Sequence, residues 1–465
     1  MACKASMSVA RRRDVLVGLL GIASVAGTGR AAAKQVAPAR EQGCAAAIPA
    51  TELGLVPRAG VDQTQELKRA LLRAARLGRA LLLPPGEVMA GELTLSGVPV
   101  RLAGAPGSRL VCRPGARWLL RVQGASLCDI SQVRLSGAGQ RRTGAQEDGM
   151  GLIRLEDVNR VVLRHCDIEG AGGHGLRLER CLGGEIAGNR LRRIADAAIF
   201  ALDCRDLNIT GNDIAHCGNG GILVWQSQKR RDGALVARNR IRHIRADAGG
   251  TGQNGNGVNV FRGAGVRVVD NDIAKCAFSA VRDNSGDDVV IARNICRQSG
   301  EVAIFVEFAF INAQVANNLI EGAAAGISVT NMDHGGRLAV VSGNIVRDVA
   351  PVRGNEGEEG FGIGAEADTT VVGNVVERAA KYGLALGWGK YLRNVVASGN
   401  VVRESPVGVA VSVVKGAGAA VIAANVFERV ELGVAGYDHA RRVTGELLHE
   451  AQVPAHVVLN ANSRA

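Results

Sequence analysis

Four residues of this chain have the types and spacing that proton chemistry on a sugar acid requires. Arg282 and Asp283 are adjacent, Glu307 follows one repeat later, and Glu366 lies further on. A lyase or epimerase acting on a uronate removes the C5 proton with a base and offsets the neighbouring carboxylate with positive charge. Arg282 could supply that charge and Asp283 or Glu307 the base. The same two carboxylates could instead hold Ca²⁺, a hard cation that takes oxygen ligands. A hydrolase needs two carboxylates flanking the scissile bond. Glu307 and Glu366, two repeats apart, would stand roughly 9.6 Å from each other by strand spacing, the outer limit for an inverting pair. Trp225, Asn259, Phe261, Asn284 and Phe305 add flat faces and hydrogen-bonding groups of the kind a sugar ring needs for stacking and orientation. The aromatics also admit a plainer reading, a ladder that only shields a sheet.

What must position these residues is a repeat. Asn-x-apolar recurs at Asn189, Asn212, Asn239, Asn271, Asn294, Asn318, Asn344, Asn374, Asn400 and Asn425. About ten residues after each Asn comes a Gly-apolar-x-apolar run, as in Gly221-Ile222-Leu223-Val224 and Gly257-Val258-Asn259-Val260. Short alternating β-branched runs with Gly or Asn at the corners read as strands joined by tight bends. A fixed period of this size means stacked units, none able to bury its apolar face alone. Two residues after each Asn, and three before it, every residue is apolar, so both columns point inward. The asparagines themselves are expected to form a structural ladder at a bend, tolerating the left-handed conformation there. The fold class is therefore all-β, a single-domain right-handed parallel β-helix with a short N-terminal capping helix.

The chemistry-bearing residues fall on the outward third and fifth positions of the Gly-apolar strand. Asp283 is the exception. It occupies the fourth position, held elsewhere by Leu178, Ala201, Val224, Val260, Val306 and Val329. An ionised carboxylate buried there is costly unless paired. A local bulge in Arg282–Asp288 that turns Asp283 outward is the favoured reading.

The pattern resembles the pectin-lyase-like β-helix family over roughly residues 50–440. Gly60-Val61-Asp62-Gln63-Thr64 leads into an Ala/Leu-rich stretch and then Leu83-Pro84-Pro85-Gly86. The resemblance implies a helix plugging the N-terminal end of the coil, with Asp62 as N-cap, Gln65 completing a capping box and Gly78 closing it. The organisation read from these landmarks is a leader over 1–33, a linker over 34–50, a cap with helix over 51–90, the β-helix over 91–443 and a C-terminal cap or tail over 444–465. The enzyme motifs of that superfamily are mostly missing. Gly173-His174-Gly175 resembles the Gly-His-Gly of polygalacturonases without its companion elements, so His174 is expected as an exposed bend residue. Asp333-His334 and Tyr437-Asp438-His439 are similar to incomplete Asp/His motifs of alginate-modifying β-helices.

Arg11-Arg12-Arg13 before a short apolar run, with Ala31-Ala32-Ala33 following, resembles a twin-arginine export signal. Together with the coils, this resembles a bacterial family of twin-arginine-exported β-helix repeat proteins that defines no catalytic residues. The resemblance implies the twin-arginine machinery as a partner and a periplasmic or secreted location. The apolar run is short for a membrane span, and no other stretch is long enough. Of the +12 formal charge, about +8 stays on residues 34–465, which favours an acidic polysaccharide over nucleic acid as partner. The Lys229-Arg230-Arg231 run is expected to be a solvated loop. Of ten cysteines, Cys217, Cys276 and Cys296 fall at inward positions as small hydrophobes. Cys181 and Cys204 are equivalent positions on adjacent coils, where a bridge is the minority expectation. Longer units place insertions at Arg245–Asn256, Asn331–Arg337 and Pro351–Gly360, the last carrying an acidic Gly-rich loop that reads as solvated, with Ca²⁺ binding as the alternative. The functional expectation is binding of an acidic polysaccharide with lyase or epimerase chemistry. The alternative is a non-catalytic solenoid that binds envelope glycan or a protein partner.

Overall fold

The computed structural model describes residues 47–141, 150–250, 252–331, 333–352, 360–449 and 452–465. The leader, Cys3, Cys44 and most of the acidic loop lie outside the described residues. The described chain is a parallel β-solenoid of about 14 turns with a single short helix. Each turn contributes three strands, which stack into three faces. Face A precedes the asparagine corner and runs as sixteen strands from Ile48–Pro49 to Val457–Asn460. Face B follows the corner, as in Arg190–Ile194 and Asp213–Cys217. Face C holds the Gly-apolar strands, as in Ala197–Leu202 and Val281–Asn284. Register is kept residue on residue: Leu163 on Ile186 on Ile209 in face A, and Leu191 on Ile214 on Ile241 in face B. Both inward columns are closed to solvent. Among the described residues, no helix is long and apolar enough to cross a membrane.

The asparagines bond one ladder neighbour in each direction, in a continuous chain. Asn318 Oδ1 accepts from both the backbone N–H and the side-chain Nδ2 of Asn294, at 2.9 and 3.1 Å. Asn318 Nδ2 in turn donates to Ile291 O at 3.0 Å and to Asn344 Oδ1 at 3.0 Å. An amide suits the position because it donates and accepts along one line, so identical residues satisfy one another. Asn462 extends the ladder past Asn425, and Cys166 occupies the same corner one coil before Asn189. The left-handed conformation, however, does not sit on the asparagines. It falls on the residue before each, from Gly188 to Ala424, with φ between 53° and 64°, and on the residue four after each, from Arg193 to Arg429. The Asn side chain itself reaches to the carbonyl of the coil behind and the amide of the coil ahead from a residue outside the left-handed region.

Helix Thr64–Arg76 buries Leu67, Ala70, Leu71 and Ala74, one face at 3.6-residue spacing, against the first coils. Its N-cap is Gln63; Asp62 Oδ1 accepts from Thr64 N–H at 3.0 Å, and the box with Gln65 is not formed. Gly78 adopts φ 63° and lets Arg79 N–H return to Ala74 O. At the other end, Leu432–Asp438 turns back against antiparallel Arg441–Glu446. The Glu446 carboxylate accepts the N–H groups of Gly433 and Val434, covering strand donors that a further coil would otherwise meet. Residues 457–464 then rejoin the coil.

The basic run is solvated, as expected, but it ends the strand Gly220–Arg231 and is not a loop. Arg230 and Arg231 pair with Asp203 and Asp206 one coil back, while Lys229 reaches Asp287 at 2.7 Å and Ala309 O at 2.6 Å on later coils. All eight described cysteines are free and buried, Cys181 and Cys204 included; Cys181 N–H donates to Cys204 Sγ at 3.4 Å. Replacing Asn318 with Ala should orphan Asn294 N–H and Ile291 O together and cost about 3 kcal/mol. Urea unfolding would read this as a lower midpoint with an unchanged slope. No shift would show that the ladder is not stabilising.

Candidate functional site

The two outward columns of face C run as the spacing predicts. Leu223, Asn259, Arg282, Phe305, Ser328 and Gly364 stack in one; Trp225, Phe261, Asn284, Glu307 and Thr330 stack in the other. Position in a column did not secure access. Asn259, Arg282 and Glu307 are each at most 5% exposed. Asn259 Nδ2 donates to Gly252 O at 2.9 Å, because the inserted loop folds over it.

Arg282 and Glu307 meet as a closed fork, Nε to Oε1 and Nη2 to Oε2, both 2.8 Å. Asn284 Nδ2 adds a third bond to Glu307 Oε1 at 2.8 Å, and Arg282 Nη1 reaches Glu301 Oε2 at 3.2 Å. The guanidinium lies 4.8 Å over the Phe305 ring. A bidentate pair of this kind commits both charges to each other. It leaves Arg282 little positive charge for a substrate and Glu307 no free oxygen for a proton or an ion. Trp225 and Phe261 belong to a packed ladder, Phe200 to Trp225 at 5.2 Å and Trp225 to Phe261 at 5.7 Å, both edge-on. In each contact the edge of one ring meets the face of the next.

Asp283 points into the core and not outward through a bulge. It stacks in register between Val260 and Val306, fully buried, and neither carboxyl oxygen has a hydrogen-bond partner. A Cβ at Gly286 would fall 2.3 Å from Asp283 Oδ1, so the glycine makes room for the carboxyl. Burial pushes the group up to about 8 from an ordinary 3.8. It is neutral at pH 7 and has no route to a ligand on the face. His174 is likewise buried, not exposed: its ring packs 5.0 Å from Phe200 and Nδ1 accepts Ala197 N–H at 3.3 Å.

The open site lies further along face C. There the outward third position shrinks to Gly364, Ala385 and Ala410 in register, following Ser328. Small floor residues leave a groove of about 280 Å³ walled by Phe305, Phe361, Tyr382, Trp388 and Tyr437. Phe361 leans over the floor, since a Cβ at Gly364 would meet its ring at 2.9 Å. Tyr382 and Tyr437 meet edge to face at 5.0 Å, and burial raises the Tyr437 phenol. Polar groups converge on the same space. Glu366 Oε2 accepts Asn331 N–H at 2.7 Å, and the buried Thr330 hydroxyl has no protein partner. His439 closes one end, its Nδ1 2.8 Å from Asp438 Oδ1 and its ring 5.1 Å from Trp388. A Cβ at Gly389 would sit 2.4 Å from His439 Nε2, so the ring rests on that glycine. Arg441 and His439 hold the Asp438 carboxyl below its usual range. Beyond His439 a second hollow carries Lys390 and Lys415.

Of the residues expected from sequence, the groove brings together Phe305 and Glu366. It omits Arg282, Asp283, Trp225, Asn259, Phe261, Asn284 and Glu307 from its lining. Tyr382 and Trp388 were missed, and Tyr437 and His439 entered only as part of an incomplete Asp/His motif. The signal for them was the small third residue in Gly383-Leu384-Ala385-Leu386 and Gly408-Val409-Ala410-Val411, which lowers the floor beside them.

Residues 121–241 and 186–346 match the family described as right handed beta helix region, and with the stacking above the fold is a right-handed parallel β-helix. Comparison with curated proteins finds no match. Among solved structures, the chain is similar to the catalytic unit of an α-1,3-glucanase from Streptomyces thermodiastaticus (14% identity, TM-score 0.41, covering 90% of this chain and 69% of that one). It is similar to a mannuronan C-5 epimerase A-module from Azotobacter vinelandii (14%, 0.43, 90% and 99%). A surface adhesin of Streptococcus pneumoniae also resembles it (11%, 0.42, 86% and 94%). At these identities the likeness is one of fold.

Two outcomes follow for the buried charges. Asp283 has a folded pKa above its unfolded one, so its stabilisation is complete below about 3.8 and is lost as pH rises towards 8. Asp283→Val should therefore stabilise the fold more at pH 8 than at pH 3.5, the difference being on the order of a few kcal/mol and read as a larger rise in melting temperature at the higher pH. An equal gain at both pH values would refute the buried titration. Arg282→Met alone should destabilise by about 3–5 kcal/mol by leaving Glu307 uncompensated, and Glu307→Leu added to it should restore much of the loss. Calorimetry of the single and double variants would show additive losses if the pair were not coupled.

Proposed function

We propose that this chain is an exported solenoid that binds an acidic polysaccharide in the aromatic groove of face C. The observation that carries the reading is the groove itself: flat rings of Phe361, Tyr382 and Trp388 stand over a Gly/Ala floor beside the carboxylate of Glu366 and the unpartnered hydroxyl of Thr330. Rings of this kind stack on the apolar faces of sugars, while carboxylate and hydroxyl groups accept or donate to their hydroxyls. The acidic class is supported by Lys390 and Lys415 in the hollow beyond His439, and by the basic balance of the chain outside its leader. The twin-arginine-like N-terminus supports a periplasmic or secreted location.

Binding is the better reading than lyase or epimerase chemistry because the groups expected to do that chemistry are engaged elsewhere. Arg282 and Glu307 neutralise each other, and Asp283 faces the core.

Titration calorimetry of residues 34–465 with uronate-containing and neutral glycans tests the proposal. Trp388→Ala and Tyr382→Ala should each weaken binding roughly tenfold, as loss of an aromatic platform does. Trp225→Ala, in the packed ladder, should leave affinity intact. Equal losses in all three variants would place the ligand off the groove, and failure to bind any glycan would overturn the reading. An absorbance rise from an unsaturated uronate on the same panel would establish a lyase instead.

A further inference from the structure

The groove and the hollow beyond it differ in charge. Two carboxylates, Glu301 and Glu366, line the groove, and no Lys or Arg among the described residues joins them in that lining. Arg282, stacked 4.8 Å over the Phe305 wall, is divided between Glu301 and Glu307, one cation for two anions. In the hollow the balance reverses. Lys390 and Lys415 line it with one carboxylate, Asp438, which Arg441 and His439 already hold. Lys390 Nζ stands 3.6 Å from Asp333, both side chains being more than half exposed, and Lys415 is exposed as well. His439 lines both spaces, so the two adjoin.

Taking the groove as the glycan site proposed above, we infer that its ligand is zwitterionic. A sugar bearing an ammonium group occupies the groove, and a neighbouring uronate of the same chain lies over Lys390 and Lys415. Three features select an ammonium for the groove. The first is the wall: Phe361, Tyr382, Trp388 and Tyr437 have electron-rich ring faces, which attract a cation and give nothing to an anion. Phe305, in the same wall, already receives a guanidinium this way. The second is repulsion. A uronate carboxylate placed beside Glu301 and Glu366 would meet like charge in a space of about 280 Å³ with aromatic walls, where screening is weak. The third is Thr330, whose buried hydroxyl lines the groove without a protein partner and offers lone pairs to an ammonium N–H. A metal ion is a poorer occupant, since no group of three His, Cys, Asp or Glu among the described residues could hold one. A lysine-rich peptide also carries ammonium groups, but on flexible stems without the flat apolar face that stacks on a ring.

Titration calorimetry of the full chain with two tetrasaccharides of alternating glucuronate and glucosamine decides the matter. One has free amines and the other is N-acetylated, so only the first carries ammonium groups. In mildly acid buffer, with the amines protonated, the free-amine form is expected to bind roughly tenfold more tightly. Glu366→Gln should cut that ratio to about threefold or less, because the amide keeps the shape and loses the charge. A ratio that survives Glu366→Gln reflects the bulk of the acetyl group and overturns the inference. Equal affinity of the wild type for both forms overturns it too, while leaving the groove standing as a site for acidic glycan. Binding of neither form removes the inference together with that reading. Tighter capture of a lysine tetrapeptide than of the free-amine sugar also overturns it. Should circular dichroism show Glu366→Gln unfolded, Glu301→Gln carries the same expectation and the same refutation.

Discussion

In a parallel coil every side chain lies one strand spacing from its own counterpart, so each position must tolerate a stack of itself. That constraint organises this molecule. Aliphatic residues meet it inside, where like packs on like. Asparagine meets it at the corner, where one amide both accepts from the coil behind and donates to the coil ahead. Charge meets it by alternation in Glu377, Arg403 and Glu428, where the Arg403 guanidinium lies between two carboxylates. Even the left-handed corners obey the rule: Asp270 and Arg293, both at positive φ, form a bidentate pair across adjacent coils. The ion pair sits where the backbone is least favourable.

Much of the fold was legible because the same constraint writes itself into the sequence as columns. The ladder asparagines, both inward columns and the outward columns of face C all follow from spacing alone. What spacing could not convey was depth. Asn259 and Glu307 stand in outward columns yet are covered, because side chains and an inserted loop close over them in three dimensions. Asp283 read as a misfit to be turned outward. It instead stays in the column as a neutral acid, its room provided by Gly286. The left-handed bend was placed one residue late because Asn is a familiar occupant of that conformation. Here its hydrogen bonds are made from a residue outside that conformation.

The groove illustrates the converse. Its aromatic residues are scattered in sequence, and no complete motif marks them. What creates the site is removal: glycine and alanine replace larger outward residues over three coils, and rings from neighbouring positions border the space left behind. Sites on a solenoid are built by exceptions to a column, so a search for positive motifs passes over the substitution of small for large. Face C is accordingly divided along its length. A buried ion pair and an edge-packed aromatic ladder rigidify its middle, and the recess opens only where those give way.

The eight enclosed thiols bear on how long such a molecule lasts. Packed among aliphatic neighbours, with burial raising Cys166, Cys217 and Cys296 well above an ordinary thiol, they are inert while the coils are shut. An opened coil in an oxidising medium presents several thiols from adjacent turns at once, and any cross-link among them blocks re-entry into register. Opening is then a one-way event. In such a medium the working lifetime would be set by how seldom the coils part, a barrier height and not an equilibrium constant.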